Sequence, residues 1–202
     1  MASLQLGDAV LDATGAYSPV YFFSHADGAV VAPFVELSLE NAYKLSLSPD
    51  HYLAANGDLV YAKDVRVGDL INYVSDDDAI KTGAVVSTAR ALKRGLYNPY
   101  TLSGSIVVDG VAASCHSSWI LDGALSPRVA AVVYQKLFVV PRAAYALIGP
   151  GGMDAVFGVG NDGATASIAA QTGMFLGVCS ALAGVAALAG VAATKATKAL
   201  RR

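Results

Sequence analysis

Short apolar runs separated by turn residues fill the first 120 residues, and this pattern constrains the fold of the chain most. The runs include PVYFF, VAPFVELSL, DLVYA, DLINYV, TGAVVSTA and SIVVDGVAAS, all rich in Val, Tyr, Ile or Leu. No helical period persists over three turns in this region. At residues 56 to 58, Asn-Gly-Asp predicts a type I′ hairpin, because Asn and Gly tolerate the two positive φ angles that this turn requires. The pattern therefore predicts an all-β fold for this part of the chain.

An internal repeat indicates how the strands are organised. The segment LQLGDAVL at 4 to 11 returns as VRVGDLIN at 65 to 72, with Asp8 and Asp69 separated by 61 residues. Each Gly-Asp pair opens a strand, and each is followed by a further β-rich stretch. Two interpretations are open, namely a duplicated β subdomain and two ordinary turns that happen to share a common dipeptide.

Composition excludes several classes of function. The net charge is −2, and no cluster of Lys or Arg occurs before the last eight residues, so nucleic acid is not an expected partner. The two cysteines provide neither a disulfide framework nor the four ligands of a structural zinc site, and we expect no metal and no cofactor. The N-terminus has no basic segment followed by an apolar one, so no secretory signal is expected in the chain as given.

The C-terminal part of the sequence predicts helices and a membrane segment. Residues 125 to 150 read as two short apolar helices, punctuated by Pro127, Pro141 and the Gly-Pro-Gly-Gly run at 149 to 152. Residues 172 to 194 form a 23-residue stretch without charge, which is long enough to cross a bilayer. The alternative is an Ala-rich helix buried in a protein interface. We predict three segments, which are a β domain at 1–122, an apolar helical extension at 123–162, and a transmembrane helix with a basic tail at 163–202.

The basic tail predicts the topology of that membrane segment. Four positive residues follow the apolar stretch, and positive flanks stay cytoplasmic. We therefore expect a cytoplasmic C-terminus and a lumenal or extracellular β domain. The residues are Lys195, Lys198, Arg201 and Arg202.

Two motifs resemble those of a known family. The segments LSLSPDHYLAANGDLVYAKDVRVGDLI and YNPYTLSGSIVVDGVAASCHSSW are similar to the Hint autoprocessing domain of Hedgehog C-terminal regions and inteins. The resemblance runs from about Leu4 to Trp119. It implies two pseudo-symmetric β subdomains packed as a flattened horseshoe, followed here by apolar helices.

The resemblance also implies a chemistry and the residues that perform it. Such domains convert a peptide bond into a thioester, and the thioester then releases the segment that precedes the domain. The motif Thr-x-x-His places His51 as the residue that protonates the leaving nitrogen, with Ser48 in the Thr position. Cys115 matches a late cysteine near the active site, or else it is a small buried hydrophobic residue at the end of a strand. His116, which follows it, is assigned no role.

The sequence departs from the Hedgehog pattern at two places. The nucleophilic Cys of the family falls ahead of Met1, so we expect either a fragment of a longer protein or a domain that no longer cleaves itself. The Asp that activates a sterol hydroxyl in Hedgehog proteins aligns with His25, and Asp27 follows two residues later. His25 or Asp27 is then the candidate general base, and the acceptor is a sterol, water or another nucleophile.

Two functions follow from this comparison. The first is an autocatalytic, single-turnover cysteine peptidase whose substrate is its own N-terminal segment, tethered to a membrane by its C-terminal helix. The second is a catalytically dead remnant of the fold that serves as a membrane-tethered interaction module.

Overall fold

The apolar runs of the sequence become a network of antiparallel strands. The computed structural model describes residues 1–119 and 123–157, and all of them belong to one compact unit. The strands found in this part of the chain are β1 (Ala9–Leu11), β2 (Tyr17–Leu39), β3 (Lys44–Leu47), β4 (Tyr52–Ala55), β5 (Asp58–Tyr61), β6 (Leu70–Val74), β7 (Ile80–Thr101), β8 (Ser105–Val108) and β9 (Val111–Ser114). A short 3₁₀ turn, Ala62–Asp64, follows β5. The central path of the sheet runs β1-β2-β7-β6-β4-β5.

The two Gly-Asp turns of the repeat have the same structure. Both glycines adopt positive φ angles, +93° at Gly7 and +95° at Gly68. In each copy the aspartate carboxylate accepts a hydrogen bond of 2.8 Å from the backbone N–H three residues earlier. Each glycine N–H donates to a buried valine on a long strand, Val20 in one copy and Val85 in the other, both at 2.8 Å. The repeated motif therefore marks equivalent turns, as a duplicated β subdomain predicts.

The strands β2 and β7 are much longer than the sequence runs suggest. They contain 23 and 22 residues and pair along most of their length, from Val20 opposite Thr101 to Leu39 opposite Val85. The register shifts at four points, and these bulges let polar residues between PVYFF and VAPFVELSL remain within one strand. The interpretation of these runs as separate short strands is wrong for this reason.

The predicted hairpin at Asn56-Gly57 is confirmed. These residues have φ angles of +54° and +81°, and they join β4 to β5, which pair in register from Ala55–Asp58 to Tyr52–Tyr61.

The main core is one cluster of buried aliphatic side chains from several strands. It is built from the alternating inward residues of strands β2, β3, β4, β6, β7 and β9, and the burial of such aliphatic side chains supplies most of the driving force for folding. The largest members are Leu37, Leu39, Leu45, Leu47, Leu53 and Ile71.

Two helices follow the sheet. Helix α1 (Pro127–Leu137) begins with Pro at its first turn, where no backbone N–H is needed, and buries Ala130 and Tyr134 against Tyr52. Helix α2 (Val139–Phe157) is kinked at Gly149, the first residue of the Gly-Pro-Gly-Gly run at which the sequence predicted a break. Gly149 interrupts it with a φ angle of +68°, and the helix resumes at Pro150.

One stretch of these helices, Pro127–Ala155, is long and apolar enough to cross a membrane by length and composition alone. Tyr134, Phe138 and Met153 within it are buried in the protein. The predicted transmembrane segment at 172–194, and the whole of 163–202, lie outside the described residues.

Candidate active site

The turn between β3 and β4 places His51 beside the end of β9. The backbone N–H of His51 donates to the carbonyl of Ser48 at 3.0 Å, which closes the turn that contains both motif residues. The imidazole Nε2 lies 2.7 Å from the backbone carbonyl oxygen of Ser114, and His51 also forms a β-bridge with Ser117. The backbone of the segment from 114 to 117 thus fixes His51 in position.

This contact determines which nitrogen of His51 carries the proton. A carbonyl oxygen only accepts hydrogen bonds, so Nε2 is the protonated nitrogen and Nδ1 is the one that can exchange a proton. Burial lowers the pKa of His51, although the bond to Ser114 raises it in part. His51 therefore rests as a neutral imidazole at neutral pH, able to accept a proton and pass it on.

A cavity of about 440 Å³ brings several predicted residues together. His25, Ser48 and His51 line it, with His25 contributed by strand β2 and the other two by the turn between β3 and β4. Met1 and Ala2 line the same cavity. The first two residues of the chain and the predicted catalytic histidine therefore border the same cavity.

His25 lies within strand β2. It pairs with Asn98 across the sheet, and its Nδ1 lies 3.1 Å from the hydroxyl of Ser24. The side chain is half-buried, and burial lowers the pKa of His25, so the imidazole is neutral near pH 7. A neutral imidazole at this place can act as a base.

Asp27 occupies a local turn of β2 and is not among the residues that line the cavity. Its Oδ1 accepts hydrogen bonds from the backbone N–H groups of Ala29 and Val30, at 2.8 and 3.2 Å. The carboxylate thus stabilises the register shift between Asp27 and Val31, within the paired length of β2 and β7. Of the two candidate bases, the structure brings only His25 into the cavity.

Cys115 is completely buried, with 0% of its surface exposed, and it does not line the cavity. Its sulfur lies 3.4 Å from the hydroxyl of Thr101. Burial raises the pKa of the Cys115 thiol to about 11, despite the opposing effect of the bond to Thr101. The thiol is therefore protonated at neutral pH, as expected of a small buried residue rather than a reactive one.

His116 lies in a separate, buried environment. Its Nε2 lies 3.0 Å from the side-chain oxygen of Gln135 on α1, and its ring packs edge-on against Tyr100 and Phe138. Burial lowers the pKa of His116 to about 4. This histidine connects the end of the β domain to the first helix, a role that the sequence did not indicate.

Sequence reasoning missed several residues around the cavity. Ser114 and Ser117 hold His51 through their backbones, and Asn98 lines the cavity opposite His25. The only signal for the first two was their place beside the matched cysteine. Asn98 gave no local signal, because its position depends on the register of β7. In the described ranges, no group of three or more His, Cys, Asp or Glu residues is placed to hold a metal ion.

Comparison with known proteins assigns this chain to a family. The model of the Hint module matches residues 1–126, and the chain therefore belongs to the Hint family. Warthog protein 6 of Caenorhabditis elegans is 29% identical over 151 residues, which cover 67% of this chain. Protein hedgehog of Drosophila virilis is 32% identical over 130 residues, which cover 58% of this chain. The matched region spans 26% of either relative.

Solved structures with similar folds include inteins. The gp41-1 intein is 13% identical, with a TM-score of 0.47, and the match covers 56% of this chain and 84% of that one. A DnaB intein from Synechocystis is 9% identical, with a TM-score of 0.48, and covers 58% and 83%.

Proposed function

We propose that the chain is the autoprocessing domain of a precursor, and that it cleaves the peptide bond to its own N-terminal segment through a thioester. The observation that carries this proposal is the cavity in which Ser48, His51 and His25 meet the first residues of the chain. A cysteine joined just ahead of Met1 would enter the site from that direction. Membership of the Hint family, which contains self-cleaving domains, supports the same chemistry.

The first step is an N-to-S acyl shift. The cysteine sulfur bonds to the carbonyl carbon of the preceding residue, the C–N bond breaks, and the nitrogen gains a proton. His51 Nδ1, unprotonated at rest, takes the thiol proton and delivers it to the departing nitrogen. The Ser48 hydroxyl orients the scissile amide. The proton lost by the thiol is the one gained by the nitrogen, and the C–S bond formed replaces the C–N bond broken, so the step needs no external reagent.

The second step resolves the thioester. The hydroxyl of the acceptor attacks the thioester carbonyl, an O–C bond forms, and the C–S bond breaks. His25 accepts the acceptor's proton, and the departing thiolate recovers a proton from it. Water or an alcohol, including a sterol, fits this step equally.

Asp27 and Cys115 receive smaller parts in this proposal. The Asp27 carboxylate is engaged by two backbone N–H groups, so it shapes the turn beside His25 rather than accepting the proton. Cys115 is a buried neighbour of the site whose thiol packs against Thr101.

We propose in addition that residues 172–194 tether the domain to a membrane, with the β domain on the lumenal or extracellular side. Val185→Arg places a charge near the centre of the segment at a cost of about 3 kcal/mol on insertion scales, and it should release the protein from membranes. Carbonate extraction of both proteins tests this. A wild-type protein found in the soluble fraction contradicts the tether.

The experiment for the central proposal is a fusion of the full chain. A reporter domain, followed by a short strand that contains a cysteine, is joined ahead of Met1, and the purified fusion is incubated with dithiothreitol. We expect release of the reporter, detected by gel and intact mass. The matched control replaces the added cysteine with serine and should release nothing. Absence of release from both fusions supports the inactive remnant, and equal release from both points to an unrelated protease.

A further inference from the structure

We propose that the kink of helix α2 is a positioning element for self-cleavage, in which Pro150 packs on the Gly7 turn and holds the first residues of the chain at the cavity that His51 borders. The inference rests on the proposed function, because self-cleavage occurs at the segment that these residues begin. Helix α2 lies beyond residues 1–126, the part of the chain matched by the Hint module.

The two copies of the Gly-Asp repeat have the same backbone but different surroundings. A Cβ built on Gly68 would have nothing within 4 Å, whereas a Cβ built on Gly7 would lie 3.1 Å from Cβ and 3.2 Å from Cγ of Pro150. The preceding residues differ in the same way, since Leu6 is half-buried and Val67 is 63% exposed. Helix α2 therefore covers the first turn, while the second is open to solvent within the described residues.

The kink brings Pro150 to this turn. Gly149 has a φ angle of +68°, which glycine adopts without the strain that a side chain would add, and it interrupts the helical path there. Pro150 then begins the second part of the helix, where a backbone N–H is not needed. A straight helix would follow another direction after residue 148, so the kink and the contact at Gly7 belong together.

Tyr145, one turn earlier on α2, adds a second contact in the same region. Its phenol oxygen would lie 3.9 Å from a Cβ on Gly7, and its ring packs edge-on against Tyr21, with centroids 6.4 Å apart. Tyr21 is completely buried and follows Val20, whose carbonyl accepts the Gly7 N–H. Helix α2 thus contacts both the turn and the strand to which the turn is hydrogen-bonded.

The covered turn is connected to the cavity through a short run of backbone. The N–H of Gln5 donates to the Asp8 carboxylate at 2.8 Å, and the N–H of Leu4 donates to the carbonyl of Met1 at 3.1 Å. Met1 lines the cavity. A shift of the turn would therefore move the first residues, and a displacement of about 1 Å at a reacting group can reduce a rate by roughly 10²-fold.

Hydrogen exchange at two amides tests the contact on the chain as it is, without any cleavage reaction. The N–H groups of Gly7 and Gly68 donate equivalent bonds of 2.8 Å, so each serves as the reference for the other. Pro150→Gly removes the side-chain atoms that cover Gly7. It should accelerate exchange of the Gly7 N–H about tenfold and leave the Gly68 N–H unchanged. Equal acceleration of both amides, or no change at Gly7, overturns the inference.

A matched pair of substitutions in the reporter fusion separates the contact from backbone strain. Gly7→Ala and Gly68→Ala each place a Cβ on a residue with a φ angle near +94°, so the strain is similar in both. Only the Cβ at position 7 meets Pro150. Gly7→Ala should slow release of the reporter by about tenfold, with Gly68→Ala near the parent rate and both folded by circular dichroism. Equal rates in the two variants overturn the inference.

A double variant distinguishes positioning from a general loss of structure. Pro150→Gly alone should slow release, because the turn loses its cover. In Gly7→Ala/Pro150→Gly, the new methyl group occupies the space that the proline ring has left, so the double variant should cleave faster than either single variant. Losses that simply add would show two independent defects and contradict the inference.

The two kinds of measurement separate this inference from the proposed function. If the parent fusion does not cleave but exchange at Gly7 depends on Pro150, the proposed function fails and the packing of α2 on the turn stands. If the parent fusion cleaves and the Gly7 and Pro150 variants cleave at its rate, only the inference fails.

Discussion

The segment from Ser114 to Ser117 separates two environments that differ sharply in chemistry. Ser114 and Ser117 line the cavity and hold His51, while Cys115 and His116 between them are buried in the interior. The two cavity residues contact water-accessible space, and the two interior residues contact Thr101, Gln135 and aromatic rings. Four adjacent residues therefore lie in two different environments, one at the cavity and one in the interior.

The two histidines on either side of this boundary show what the difference means. Burial lowers the pKa of both, but His51 retains a nitrogen available to the cavity. His116 is only 3% exposed, contacts Gln135 and aromatic rings, and borders a different cavity from that of His51. The histidine next to the matched cysteine is thus an interior residue, whereas His51, to which we assign the proposed catalytic role, borders the cavity.

The largest expected effect separates these two histidines. In the reporter fusion, His51→Ala should slow cleavage by roughly 10²- to 10⁴-fold, because it removes the group that transfers the proton. His116→Phe keeps an aromatic ring in the interior and should leave the rate near that of the parent fusion. If both variants lost the same fraction of the cleavage rate, and circular dichroism showed that both were folded, the proposed difference between the two histidines would be contradicted.

Measurement of the free energy of unfolding at several pH values tests the burial of His116. The pKa of His116 is about 4 in the folded chain and about 6.5 in the unfolded chain, so only the unfolded chain binds a proton between these values. The stabilisation is complete above about pH 6.5 and is lost as the pH falls towards 4, by about 2 kcal/mol at pH 5.

His25 and His51 shift in the same direction, so the wild type alone does not isolate His116. The difference between wild type and His116→Phe does isolate it. Urea unfolding at pH 7 and pH 5 should show a smaller loss for the variant by about 2 kcal/mol. Parallel losses would mean that His116 does not titrate with folding.

A smaller effect is expected at Ser48. Ser48→Ala would remove the hydrogen bond that we propose between Ser48 and the scissile amide, which corresponds to a loss of about tenfold in the cleavage rate of the fusion. Ser48→Thr keeps the hydroxyl in the same place and serves as the matched variant, with a rate close to the parent. A threonine variant as slow as the alanine variant would show that shape, not the hydroxyl, matters at this position.

The smallest effect on chemistry is expected at Cys115. Cys115→Ala should leave the cleavage rate within about twofold, since the buried thiol is protonated and outside the cavity. It should reduce the free energy of unfolding by about 1 kcal/mol, because a small buried group is lost. Urea unfolding and the release assay measure the two quantities. A rate loss as large as that of His51→Ala would place the thiol in the reaction.

Local sequence patterns were sufficient to predict several turns and the fold class. The Asn56-Gly57 hairpin and the turn from Ser48 to His51 each depend on a few adjacent residues, so the sequence alone predicts both turns. The family motifs identified the fold class in the same way. The Gly-Asp repeat predicted equivalent turns because glycine is required where φ is positive.

The remaining features depend on pairs that are distant in sequence. Ser24 and Asn98 are 74 residues apart, and His51 and Ser114 are 63 apart. Their contacts follow from the register and bulges of β2 and β7, which no short pattern specifies. For the same reason, neither the exclusion of Asp27 from the cavity nor the burial of Cys115 could be predicted.

The most direct test of the account is to trap the thioester at the His51 cavity. The reporter fusion is incubated with hydroxylamine, and the released reporter is analysed by intact mass, alongside the His51→Ala fusion and the fusion whose added cysteine is serine. The account predicts a reporter that ends in a hydroxamate from the parent fusion, with little or none from either variant. Release of the reporter as a free acid at equal rates from all three fusions would contradict it.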